Sequence, residues 1–419
     1  MHRLGALREP NFRRLWIGQT TSAFGDALAG VAFTFGILGT TGSAVDLGLV
    51  LTAFMVPRVV FLLVGGVWAD RIPRRAIMLG ADLVRAAAQA VLAVAFLSGG
   101  ASLPVFLGVA MVMGAAGAFF VPASIGLVPQ AVSAERLQPA NALLNLSQSS
   151  AALAGPVISG ALLVTTGPGW IFAIDGVTFI VSAIALAALR LPALPPIASR
   201  PFLADLAIGW REVMSRSWLT ASLAGFAFVN LAFAGFFVIA PVIIERSYAG
   251  APDWGLLMAG FGLGGLIGGS VALRWSPVRP LVAVFATLLA APLTLLLLAG
   301  LPPLGLLVAA VVGFSAATAF ANTIWHTTIQ RQVPAESISR VSSYDWMASL
   351  LFFPIGSAVA GPLAETLGPP AALVVFAMAS GLAMVGTLAV PAVRALRRLD
   401  VVEPADPELE RLEPAAEAA

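Results

Sequence analysis

Twelve apolar stretches follow one another along the chain, at 13–38, 46–69, 76–98, 104–129, 138–165, 169–189, 218–245, 253–274, 279–300, 302–329, 340–365 and 369–393. Each reaches the length of about 20 residues that a helix needs to cross a bilayer. In lipid a segment must satisfy its own backbone, so each stretch is expected to be a membrane-spanning α-helix. Only 11% of the residues are charged, against about 25% in a soluble domain. The predicted fold class is all-α integral membrane, with 12 transmembrane helices. Arg3 and Arg8 precede the first stretch and Arg13 and Arg14 open it, and the run continues to Leu38. That is too long for the apolar region of a cleaved signal.

The arginines alternate between connections. Those after spans two, four, six, eight and ten hold Arg71, Arg74, Arg75, Arg136, Arg190, Arg274, Arg331 and others, and Arg394, Arg397 and Arg398 follow the last span. Only Arg246 falls on the opposite side. The positive-inside rule then predicts that both termini are cytoplasmic.

The two halves repeat. Ala134-Glu135, Gly160 and Gly167-Pro168 recur as Ala335-Glu336, Gly361 and Gly368-Pro369, each at an offset of 201 residues. Two six-span halves in the same orientation imply a pseudo-two-fold axis along the membrane normal. We therefore expect an N-terminal bundle over 1–189, a cytoplasmic linker with a short interfacial helix over 190–217, a C-terminal bundle over 218–398, and an acidic, disordered tail over 399–419.

Some chemistries are excluded. The chain has no cysteine and two histidines, so thiolate chemistry and a histidine metal cluster are ruled out. No catalytic constellation or phosphate loop stands out, and no cofactor, metal, nucleic-acid partner or enzyme activity is expected. The expected partners are a small-molecule substrate, protons and the bilayer, with the protein acting as a monomer.

GGVWADRIPRR, residues 65–75, resembles the signature connecting spans two and three in the major facilitator superfamily. NFRRLWIGQTTSAFGDAL, ERLQPANALLNLSQS and GPVISG are similar to the branch of drug–proton antiporters that includes macrolide-efflux and enterobactin-exporter-like proteins. The resemblance covers roughly residues 8–398. It implies the major facilitator fold, export from a bacterial inner membrane, and a cytoplasmic latch. Asp70, Arg71, Arg74 and Arg75 would form that latch with Arg340 and Asp345. It also makes span five, with Gly155, Pro156, Ser159 and Gly160, an antiporter-like helix. Two positions depart from the family pattern: Pro73 stands where glycine is usual, and the second-half copy has Leu273 opposite Asp70.

The buried charges are the candidates for proton coupling. Asp26 lies midway along span one and Arg58 midway along span two. Asp82 and Arg85, three apart, share a face of span three. Each costs about 2.5–3.5 kcal/mol to insert and therefore pairs or lines a wet cavity. A carboxylate that exchanges an arginine for a proton is one reading; a static ion-paired brace is the other. Asp175 is expected near the outer edge of span six, capping or hydrated. Asn145 and Gln148, with Asn141, form one polar face of span five. That face either bonds a neighbouring helix or meets substrate. Asn230 stands where the second half would repeat Asp26. Phe33, Phe119, Phe237, Asn322 and Trp325 complete the candidate substrate site, each aromatic with packing as its alternative. The function predicted is proton-driven export of an amphipathic small molecule. The alternatives are an uncoupled facilitator or importer and, more remotely, a lipid scramblase.

Overall fold

Proline and glycine set the helix boundaries. Pro10, Pro104, Pro168, Pro252, Pro280 and Pro369 stand at the first or second helical position, where the missing N–H has no helical partner to lose. Gly167 and Gly368, equivalent in the internal repeat, turn the chain at φ 78° and φ 84°, a region where a side chain is strained.

The computed structural model describes residues 6–69, 72–133, 136–191, 210–211, 213–333 and 335–398. Its helices are α1 (Pro10–Thr41), α2 (Ala44–Ala69), α3 (Arg74–Leu97), α4 (Leu103–Ala131), α5 (Leu137–Thr166), α6 (Pro168–Ala187), α7 (Ser217–Ser247), α8 (Ala251–Arg274), α9 (Pro280–Leu288), α10 (Ala290–Ala299), α11 (Leu304–Gln332), α12 (Ala335–Leu367), α13 (Pro369–Ala389) and α14 (Pro391–Ala395). Eleven segments among the described residues are long and apolar enough to cross a membrane. The helix α12, at 33 residues, makes the twelfth. The ninth span is two helices, α9 and α10, broken at Leu289. Pro292 explains the break, because it cannot donate to the carbonyl of Leu288 and its ring crowds that carbonyl. Most of the expected linker and the whole expected tail lie outside the described residues, as do Asp70 and Arg71.

In the first half α1 packs on α5 and α6, α3 on α4 and α6, and α2 on α4. In the second half α7 packs on α12 and α13, and α8 on α11. The halves meet along α2–α12 and α5–α8, two contacts that the repeat's two-fold exchanges. The buried apolar residues divide accordingly. One core, including Phe35, Leu47, Phe106, Phe236, Trp254 and Phe376, crosses between the halves at one end of the molecule. At the other end each half has a separate core, around Phe12 and Leu127 in the first and around Phe285 and Trp325 in the second.

The joined end is closed by backbone approach. A Cβ at Gly48 would overlap the carbonyl oxygen of Ser357, and one at Gly361 would overlap Val45. Across the other contact, Gly160 faces Ala251 and Gly255 faces the carbonyl of Pro156. Thr52 Oγ1 donates to Pro354 O at 3.2 Å, and Ser43 Oγ to Glu365 Oε1 at 3.3 Å. On the same face the Tyr248 hydroxyl donates to Pro302 O. Burial pushes that phenol above its ordinary range, so it remains a donor.

Candidate functional site

Asp82, Arg85 and Gln89 fall on one face of α3 and are 0%, 7% and 4% exposed. Arg85 organises the group. Its Nη2 donates to Asp82 Oδ1, and its Nη1 lies 3.9 Å from Asp26 Oδ2 on α1. Its guanidinium carbon sits 4.1 Å from the ring of Phe120 and 4.5 Å from that of Phe179. A planar, permanently charged group suits a slot between two aromatic faces; an ammonium would not fill it.

Asp26 and Asp82 therefore differ in surroundings, although both neighbour Arg85. Asp82 is sealed. Asp26 is 49% exposed on the wall of a cavity of about 870 Å³. Arg58 lines the same cavity, its guanidinium 5.7 Å from the ring of Phe54. It makes no ion pair within 4.0 Å among the described residues. Gln19, Ser22, Asn141, Asn145 and Gln148 add neutral polar groups, and Met113, Phe120, Val121 and Ile125 add apolar surface. The polar face of α5 thus lines the cavity. Among the described residues the lining comes from the first half alone.

Asp175, expected to be a cap or hydrated, is neither open to solvent nor at a helix end. It is fully buried and faces α1 at Gly25, where a Cβ would overlap Asp175 Oδ1. Gln89 Nε2 donates to its Oδ2 at 2.6 Å and Thr178 Oγ1 to its Oδ1 at 3.1 Å.

The antiporter-like segment of α5 is a seam. Ser159 Oγ donates to Leu28 O at 2.6 Å, and Gly155 lies against Ala27 of α1. Pro156 and Gly160 lie against α8. One stretch of helix therefore touches the helix that carries Asp26 on one side and the second half on the other.

The remaining candidates are dispersed. Asn230 Nδ2 donates back to Phe226 O of its own helix at 3.0 Å. Phe33 packs edge-on against Phe106 and Phe172, Phe237 belongs to the cluster with Phe236, Trp254 and Phe261, and Phe119 lies beside Phe61. Trp325 is 2% exposed and packs on Phe226, with ring centroids 4.8 Å apart. Each of these aromatics has at least one aromatic neighbour. Asn322 and His326 are exposed on α11.

In the expected latch, Arg74 Nη1 donates to Gly126 O at 2.7 Å and Arg75 Nη2 to Ala187 O. Both arginines hold helix carbonyls within the first half. Asp70 and Arg71 and the side chain of Arg340 lie outside the described residues. Asp345 is buried beside Trp325 and His326 of α11.

Gln89, Gln19, Phe120 and Phe179 were not singled out in the sequence. Gln89 carries a usable signal, since it follows Asp82 and Arg85 at helical spacing. The NFRR motif also acquires a role, for Asn11 exchanges hydrogen bonds with the backbone of Arg190, and Arg14 Nη1 donates to Ala188 O. Together they tie the start of α1 to the end of α6.

Residues 15–351 match the family pattern described as Major Facilitator Superfamily. The multidrug efflux pump Tap of Mycolicibacterium fortuitum is 28% identical, with 91% of this chain and 95% of Tap aligned. The enterobactin exporter EntS of Escherichia coli O1:K1 is also 28% identical, with 94% of each covered. Among solved structures, a bacterial homologue of the human lysosomal transporter Spinster, inward-facing and unoccupied, superposes with a TM-score of 0.62 at 18% identity, over 90% of this chain and 93% of that one. A POT family transporter bound to a thioalcohol-conjugated peptide superposes at 0.70 and 11% identity, over 90% and 95%.

Proposed function

This chain belongs to the major facilitator superfamily, and on that footing we propose that it exports an amphipathic small molecule across a bacterial inner membrane by proton antiport. Export is favoured by the likeness to an efflux pump and an enterobactin exporter. The cavity volume falls within the range that holds drug-sized molecules. Its wall mixes amides, apolar side chains, one open carboxylate and one arginine, which suits a ligand with both polar and greasy faces.

The observation that carries the coupling is the split around Arg85. Asp82 holds the arginine in place, while Asp26 sits at its edge, open to the cavity and only loosely paired. Asp26 can therefore exchange Arg85 for a proton without unseating the arginine. With the arginine-bearing end in the cytoplasm, the protein is open inward. In this state substrate enters the cavity and Asp26 releases its proton to the cytoplasm. The loaded protein closes inward and opens outward. Substrate leaves, Asp26 takes a proton from outside, and the protonated form returns. The proton gradient favours that return, so export runs uphill for the substrate.

The test uses proteoliposomes with an imposed inside-acid gradient, an internal pH dye and a panel of hydrophobic drugs and siderophores. A transported compound should carry protons out as it enters. In Asp26→Asn that proton flux should vanish while the melting temperature and elution profile stay near wild type. Undiminished pH-driven transport by Asp26→Asn would remove Asp26 from the role. Transport with no proton movement in the wild type would favour an uncoupled facilitator braced by its buried charges, a reading that the sealed Asp82–Arg85 pair supports.

A further inference from the structure

Coupling through Asp26 leaves one buried acid unused. Asp175 has no arginine within 4.0 Å among the described residues, because Arg85 is committed to Asp82 and Asp26. Its two oxygens receive one neutral donor each, from Gln89 and Thr178. An ionised carboxylate without a cation is poorly served in such a place. A protonated one needs an acceptor, and there is one: Gln89 Oε1 is buried and receives no hydrogen bond.

The two ends of the Gln89 amide complement the two states of Asp175. With the carboxylate ionised, Nε2 donates to it, as observed. With the acid protonated, a half-turn of the amide presents Oε1 to the acid's O–H. The swap relieves the orphaned oxygen and moves Nε2 into the place that it leaves. We propose that Asp175 is a second proton-binding site, sealed from the cavity behind α1, and that the amide of Gln89 turns over as the proton binds and leaves. The proposal deepens the antiport reading and rests on it for its role in transport, but not for its chemistry.

The charged neighbours are few. Asp26 approaches from α1, and Arg85 and Asp82 from α3, one and two turns along from Gln89. The helix α5 carries no titratable residue. Counting Arg58, the cluster has three acids and two arginines. Fully ionised, it bears one surplus negative charge deep in the bundle, and a single proton neutralises it. Asp175 supplies a place for that proton which substrate in the cavity does not reach. Asp26 is then left to exchange protons with the cavity.

The test is infrared difference spectroscopy of the full-length protein in lipid, following the C=O band of protonated carboxyl groups from neutral to acid pH. We expect a band that survives in Asp26→Asn and is lost in Asp175→Asn. In Gln89→Leu, which keeps Asp175 but removes its acceptor, the same band should shift to higher frequency. If Asp175→Asn does not fold, the Gln89→Leu shift carries the test alone. A carboxyl spectrum of Asp175→Asn identical to wild type at every pH overturns the proposal, as does an unshifted band in Gln89→Leu. Loss of proton flux is a separate readout: if transport proves uncoupled while the Asp175 band behaves as expected, the antiport reading fails and the site stands.

Discussion

Arg85 is held in two ways at once, by charge to Asp82 and by its flat faces to Phe120 and Phe179. The two can be separated. Arg85→Lys keeps the charge and loses the aromatic slot, where each contact is worth about 0.5–2 kcal/mol; its unfolding temperature should fall modestly. Arg85→Leu leaves Asp82 buried without a cation, at a cost of about 3–5 kcal/mol. The double variant Arg85→Leu, Asp82→Leu should recover most of that loss. Tryptophan-fluorescence melting in detergent reads all three, and absence of recovery would mean that Asp82 is not the anchoring partner. At this scale the sequence was partly legible. A carboxylate and an arginine three apart in an apolar helix announce a pair. Nothing in the sequence says which acid is sealed and which meets the cavity, because that depends on α4 and α6 covering Asp82. Gln89 and Asp175 are 86 positions apart, and only folding joins an unremarkable amide to an acid that reads as a surface group.

Helix boundaries were the most legible feature of the chain, since lipid demands long apolar runs and proline and glycine punctuate them. The ninth span is the exception: Pro292 interrupts it at Leu289, which itself keeps the right-handed helical conformation. The glycines of α8 are a sharper case. Gly260, Gly264 and Gly268, four apart, permit close approach to another helix, and α11 is that helix. A Cβ at Gly268 would overlap the carbonyl oxygen of Ala316, whereas Gly269, the next residue, has nothing within 4 Å. Overpacking of this kind costs about 1–3 kcal/mol. Gly268→Ala should therefore lower the melting temperature by several degrees, while Gly269→Ala leaves it unchanged. Equal melting of the two would contradict the packing of α8 on α11.

For the whole molecule, the sequence supplied the number of spans, their repeat and the charge asymmetry, but not which end is shut. Under the proposed alternating access, that choice is a balance between two closures of the same halves, and a few kcal/mol decides it. The joined end depends on glycines at Gly48 and Gly361, so Gly361→Val should wedge α2 away from α12 and shift the population toward the opposite state. The chain has no cysteine, so spin labels on cysteines introduced in place of Thr41 and Thr366 would report a longer separation in that variant; an unchanged distance would show that the seam does not control closure. The helix corners on this face have a further consequence. The connections there, 42–43, 98–102, 167, 248–250, 300–303 and 368, run to five residues at most. A protease needs an extended strand and an antibody needs a raised epitope, and this face offers neither. Sealed vesicles should therefore be cut only when the opposite face, with its long connection between Ala187 and Ser217, is outermost. Digestion would then count the orientation of every reconstituted molecule without a label, and a binder raised as a handle for imaging would have to grip the side that carries the termini.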